Sequence, residues 1–429
     1  MSKGLHNQGS YPSHPSYHPA STAFTAFTAA AFEKMLRDER VRRAMAVIEA
    51  DDERTLREQI ELTQIPAPPF QEKVRGEAYR DRLLALGLKD VHVDAEGNVH
   101  GVRKGVGGGP TVFVCAHLDT VFPEGTDTVV RDRDGKYFAP GIADDGRGLA
   151  AVLAILRGFE AAGIATRGDV MFGATVGEEG LGDLRGVKAL FRNGPKIDAF
   201  ISIEPGDAGA ITYLATGSRR YRVTFRGPGG HSYGDFGKPS AIHAMGRAIA
   251  AIGDIEVPDE PKTTFTVGEV RGGTSVNTIA AEAEMMVDMR STSEAALDAL
   301  EAKVLKLIDE AVERENRRWG SDAIRVEKVL MGNRPSGSQP EDAAIVRVAA
   351  AAAIAMGKEP VLLGPSSTDA NVPIHLGVPA LTLHGGGDFG GIHTLDEYFE
   401  PKNAFAGVQH VFLTVLGLVG VEGVIEPAL

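Results

Sequence analysis

Among 429 residues there is one cysteine, Cys115, and one tryptophan. A lone thiol excludes a disulfide framework and a thiolate-rich zinc ribbon, and it makes a reducing, cytoplasmic setting the expectation. No apolar run approaches the roughly 18 residues of a membrane span, the cleanest being LAAVLAIL at 149–156. Positive charge is in deficit: 45 Lys and Arg against 58 Asp and Glu leave a net charge of −13. That balance argues against nucleic acid or a membrane as partner. The first 32 residues have no acidic side chain and only Lys3 as a formal charge. They are expected to form a disordered tail in which His6, His14 and His18 are solvated. TAFTAFTAAAF is broken by threonines and follows a Pro- and His-rich stretch, so it does not fit a secretory signal.

At roughly 150 residues per domain, the length implies two or three domains. From Glu33 to Thr63 the apolar positions recur at helical spacing, and Pro66, Pro68 and Pro69 stop the pattern. Two helices are expected there, then a third over 71–87 and a hairpin that feeds a strand at 111–117. Beyond it helices at 148–162, 183–192, 341–356 and 402–418 alternate with strands at 169–176, 199–204 and 379–384. This alternation predicts an α/β fold, a doubly wound mixed sheet wrapped by helices. Between about 216 and 328 the order becomes β-α-β-β-α-β, a ferredoxin-like α+β unit inserted into the first. The expected division is therefore a tail over 1–32, a catalytic domain over 33–215 and 329–429, and the insertion over 216–328.

Ligands of doubly wound sheets bind beyond the carboxyl ends of the strands, and the polar clusters fall there. One strand ends in His117-Leu118-Asp119, another in Gly177-Glu178-Glu179-Gly180, and a third in Glu204-Pro205. Asp144 and Asp145 precede the helix at 148, and His393 lies in GGGDFGGIHTLDE after the strand at 379–384. Each cluster alone fits an ordinary polar edge, a solvated loop or a turn. Together, so many acids at one rim repel one another unless cations sit among them. Two histidines and three carboxylates suit zinc, with cobalt or manganese as alternatives.

The order HLDT, GIADDG, GEEG, IEPG and IHTLDE resembles the di-zinc family of carboxypeptidase G, aminoacylase, the acetylornithine and succinyl-diaminopimelate deacylases, and peptidase T. The resemblance spans nearly everything after the tail. It implies that two divalent ions are held by Asp144 in common, one with His117 and Glu204, the other with Glu179 and His393. It further implies that Asp119 orients His117, that Glu178 is the general base beside a metal-held hydroxide, and that the Asp144–Asp145 peptide is cis. In the insertion, a lid and dimerisation domain in this family, GPGGHSYGDFGKPSAIHA resembles the segment whose histidine, here His231, reaches the site of a partner subunit. Asn277 and Arg290 match positions that grip substrate, Arg290 as a fork for a free carboxylate. A homodimer is implied.

Glu204 is the residue of carboxypeptidase G and the deacylases, whereas SSTDANVPIHLGVPAL resembles the peptidase T-like members. The expected substrate is thus a small peptide or, alternatively, an N-acyl amino acid. Two other classes are weaker. Gly230-His231-Ser232-Tyr233-Gly234 fits the serine-hydrolase pattern G-x-S-x-G, and His384–Gly387 an oxyanion motif, but in the wrong chain order. A non-catalytic relative is disfavoured because every position expected to carry chemistry is present. Cys115 is expected to be a buried filler.

Overall fold

In the computed structural model, which describes residues 22–429, the continuous apolar runs form parallel strands buried on both faces, as two-sided burial demands. Asp169–Thr175, Thr111–His117, Ala199–Glu204 and Ala380–His384 lie side by side and parallel. Flanking strands extend this core to an eight-stranded mixed sheet: Val99–Arg103, antiparallel to the core, with Lys89–Val93 antiparallel to it on one side, and Ala210–Thr212, antiparallel to the core, with Val361–Leu363 parallel to it on the other. Registers His117↔Thr175 and His384↔Glu204 align the carboxyl ends of the four parallel strands on one rim.

The helix Gly146–Ala162 is apolar on all sides because it is covered on all sides, with 15 of its 17 residues buried. It is sandwiched between the sheet and the N-terminal helices Glu39–Ala50 and Asp52–Thr63. Gly158 makes that contact close: a Cβ there would sit 3.1 Å from Ile48. Asp145 caps its start by accepting from Gly148 N–H at 3.0 Å, and Gly163 ends it in the left-handed region. On the other face of the sheet, Leu184, Val187 and Leu190 pack with Phe113, Cys115 and Phe200. Helices thus cover both faces. Cys115 is buried filler, as expected.

The insertion pairs its four strands in the order Thr263–Gly272, Glu282–Ser291, Gly217–Arg226, Arg325–Arg334, all antiparallel. Helices Ala241–Gly253 and Glu294–Arg318 cover one face. Along Glu282–Ser291 burial alternates strictly, with Ala283, Met285, Val287 and Met289 under the helices and Asp288 and Arg290 on the open face. This is the ferredoxin-like order.

Three features correct the expectations. The first helix runs Thr22–Arg37 and buries Phe32 and Met35, so residues 22–32 are not a tail. Residues 1–21, with His6, His14 and His18, lie outside the described chain. Three helices rather than two cover the stretch to Thr63, because Asp38 caps a new one by accepting from Arg40 and Val41 N–H. The last strand of the insertion continues to Arg334, past the boundary expected at 328, because it pairs with the neighbouring strand from Arg226 to Ser218. Among the described residues no helix is long and apolar enough to cross a membrane.

Candidate metal centre and active site

His117 closes its strand with the imidazole buried. Its Nδ1 lies 2.9 Å from the Asp119 carbonyl oxygen, which fixes the ring and turns Nε2 toward Asp144 Oδ1, also at 2.9 Å. The other oxygen of Asp144 lies 3.2 Å from His393 Nε2. One carboxylate therefore sits between two imidazoles, each facing its own oxygen. Glu204 Oε2 is 3.8 Å from His117 Nε2, and Glu179 Oε1 is 2.9 Å from His393 Nε2. Ligand atoms of His117, Asp144 and Glu179 all fall within 4.8 Å of one another, as do those of His117, Asp145 and Glu204. The five residues singled out at the sheet rim are thus brought together.

Asp145, next to Asp144, plays a different part. One of its oxygens accepts from His117 N–H at 3.0 Å and the other caps the helix through Gly148. With both oxygens committed to backbone donors, it anchors its neighbours and leaves Asp144 as the shared carboxylate. The peptide between the two is cis.

Asp119 differs from expectation in how it acts. Its carboxylate is 3.8 Å from His117 Nδ1, and the carbonyl is the group that orients the ring. The carboxylate instead accepts from Glu178 N–H at 3.0 Å and Glu179 N–H at 2.8 Å. It therefore holds the turn that presents both glutamates. From that turn Glu179 enters the cage, whereas Glu178 points to Arg334, Oε1 to Nη1 at 3.1 Å. Arg334 also donates to the Glu178 carbonyl and to Ser367 Oγ.

The charges are strained in the way a cation would relieve. Burial opposes a proton on His117, yet the hydrogen bond to Asp144 and the charges of Glu204 and Asp145 raise it well above its usual value. His393 is pushed up to about 10 by its bonds to Asp144 and Glu179. Burial drives Glu204 and Asp145 well up, and Glu178 to about 8 against the pull of Arg334. A divalent ion bound among these oxygens and imidazole nitrogens would take the place of those protons. Two nitrogen and three carboxylate donors with no thiolate fit such an ion.

The three substrate positions separate. Arg290, half-exposed, is on the open face of the insertion sheet, its Nε 2.8 Å from Asp288 Oδ2. It shares a cross-strand row with Ser218 and Arg334, at the end of the sheet that adjoins the Glu178–Gly180 turn. His231 and Asn277 sit at the opposite end, beyond Arg226, exposed and linked by Ser232 N–H to the Asn277 carbonyl at 3.0 Å. The His231 Nδ1 accepts from Tyr233 and Gly234 N–H, both at 3.2 Å, which leaves Nε2 as the other nitrogen of an exposed ring. Ser232 belongs to this surface loop rather than to a strand-to-helix elbow at the sheet rim, so the serine-hydrolase reading fails.

Sequence reasoning missed Arg334, Arg220, Asp369 and Glu397. Alternation along Gly217–Arg226 and Arg325–Arg334 was the available signal for the arginines; Arg220 lies two register positions from the row of Arg334, bonds Asp288 at 3.0 Å and donates to the Gly180 carbonyl. Asp369, buried and pushed up to about 6 by that burial, accepts from Thr175 Oγ1 beneath the site. Glu397 accepts from three backbone N–H groups of the Asp144 loop.

A mixed sheet with an acid-and-imidazole cage at its strand ends and a ferredoxin-like insertion defines a class, the peptidase-type amidohydrolases. Residues 113–416 match peptidase family M20/M25/M40, and the chain belongs to that family. A succinyl-diaminopimelate desuccinylase of Paraburkholderia xenovorans is 28% identical over 253 residues, 53% of this chain and 66% of its own length. The chain thus spans just under two thirds of that relative. Among solved structures, aminopeptidase PepT from Bacillus cereus superposes with a TM-score of 0.69 at 25% identity, over 85% of this chain and 98% of the other. The Bacillus subtilis YXEP protein, described as a dinuclear metal-binding peptidase, shares the fold with a TM-score of 0.64 at 16% identity, over 86% and 99%.

Proposed function

We propose that this chain is a two-metal exopeptidase acting on small peptides, with N-acyl-amino-acid hydrolysis as the second reading. The observation that carries it is the division of labour between adjacent glutamates: Glu179 faces His393, while Glu178 is held off the cage by Arg334. Two divalent ions, zinc first with cobalt or manganese as substitutes, held by His117, Glu204 and Asp144 and by His393, Glu179 and Asp144, would supply Lewis acidity toward the scissile carbonyl and the attacking water. Glu178, free of that duty, takes a proton from the water and returns it to the leaving nitrogen. Arg290 receives the free carboxylate of the substrate. His231 and Asn277 serve the site of a second copy.

The resemblance to PepT favours peptides and the match to a desuccinylase favours N-succinyl substrates. Rates on di- and tripeptides set against N-acetyl and N-succinyl amino acids, with zinc, cobalt or manganese added, choose between them. Glu178→Ala should bind metal as the parent does and lose on the order of 10²- to 10⁴-fold in kcat. A variant that turns over at the parental rate would remove Glu178 from the mechanism.

A further inference from the structure

The five cage residues are not equally well supported by the fold. His117 and Glu204 terminate strands whose ladders fix them, and Glu179 follows a third strand by four residues. Asp144 and His393 instead hang on loops. Asp144 lies in the stretch between the short strand Lys136–Phe138 and the helix at Gly146, and His393 in the loop between Asp388–Gly390 and Tyr398–Glu400.

One side chain ties these loops together. Glu397, four residues after His393 and fully buried, accepts from Gly141 N–H with Oε2 at 3.0 Å and from Ala143 and Asp144 N–H with Oε1 at 2.8 and 3.0 Å. Its carbonyl accepts from Ala139 N–H at 3.1 Å, and its own N–H bonds the Thr394 carbonyl at 3.2 Å. The chain can turn to aim these three amides at one carboxylate because Gly141 adopts φ 78, the left-handed region that favours glycine. Only a carboxylate offers acceptors on both prongs. A glutamine has one oxygen, and its NH2 would face an N–H, leaving a buried donor without a partner.

We propose that Glu397 is a positioning residue that sets the separation of Asp144 from His393 and thereby governs the affinity of the ion held by His393, Glu179 and Asp144 more than that of the ion held by His117 and Glu204. This rests on the two-ion reading above. The first of these ions draws two of its three ligands from loops that Glu397 fixes; the other draws only Asp144 from them. Outer groups that orient ligands typically contribute about 10- to 100-fold in metal affinity.

The test is calorimetric titration of metal-free protein with Zn2+, with bound metal counted by elemental analysis and Co2+ absorption spectra recorded in parallel. The parent should take up two ions. Glu397→Gln should lose at least about tenfold in affinity at one site and distinctly less at the other, with the metal-free variant keeping the parental circular dichroism. Glu397→Asp, which keeps the charge but retracts it by one methylene, should show the same selective loss and serves if the glutamine variant does not fold. Parental affinities at both sites, or equal losses at both, would overturn the role of Glu397. Fewer than two ions on the parent would overturn the two-ion reading itself.

Discussion

Asp119, Asp144 and Asp145 lie within 27 residues of one another and take three different parts. Asp144 is shared between imidazoles, Asp145 is spent on backbone donors, and Asp119 clamps the Glu178–Glu179 turn. The type of residue at each strand end was legible in the sequence, because strand-end acids and histidines stand out against apolar runs. Which oxygen bonds which donor was not. The clearest omissions, Arg334 and Glu397, act on partners 156 and 254 residues away, a separation that no local pattern encodes. For Asp119 the geometry gives a prediction distinct from that for Glu178. Asp119→Asn turns an NH2 toward one of two buried N–H donors, at a cost of about 1–3 kcal/mol. Both glutamates then loosen together. Metal affinity and kcat/KM should fall together by about 10- to 100-fold, measured by metal titration and steady-state kinetics. If Asp119→Asn retains parental metal affinity, the clamp is not what places Glu179.

At the scale of elements, the predicted α/β alternation was matched closely: strands at 111–117 and 199–204 have the expected ends, and the helix expected at 148–162 starts two residues earlier. Periodicity succeeded there because parallel strands and their crossover helices are long and buried. It missed the three-residue strands at 131–138 and 388–400 that support the His393 loop, since so short an element carries no period. It also assigned Thr22–Phe32 to a tail, because composition registers the absence of charge and not the burial of an aromatic ring. Phe32 is 2% exposed in the hydrophobic core, and a Cβ on Gly417 would lie 3.1 Å from its ring. Phe32→Ala opens a cavity against Phe405–Val419 and should destabilise the protein by about 3–5 kcal/mol in guanidinium unfolding. A change below about 0.5 kcal/mol, the range of surface substitutions, would return this segment to the tail.

Across the whole molecule, the insertion separates the residues proposed to grip substrate. Its strands Gly217–Arg226 and Glu282–Ser291 are ten residues each, about 30 Å at 3.3–3.4 Å per residue. Arg290 stands at the end beside Arg334 and Glu178, and His231 and Asn277 beyond the other end, so one chain cannot bring all three to its own site in this arrangement. The surface near His231 is apolar for an exposed one, with Tyr233 at 90%, Phe236 at 79% and Val276 at 103% of full exposure. A patch of this kind suits burial against a second copy, which would carry His231 to the neighbouring cage. Mixing decides the matter. Glu178→Ala and His231→Ala chains are each expected to be nearly inactive alone. In a mixed dimer, one of the two sites receives an intact Glu178 from one chain and an intact His231 from the other. Random exchange of equal amounts should therefore restore about a quarter of parental activity, and the recovered rate should have the parental KM. Were His231 to serve its own chain, every site in the mixture would keep one defect, and the activity would stay at the sum of the separate variants.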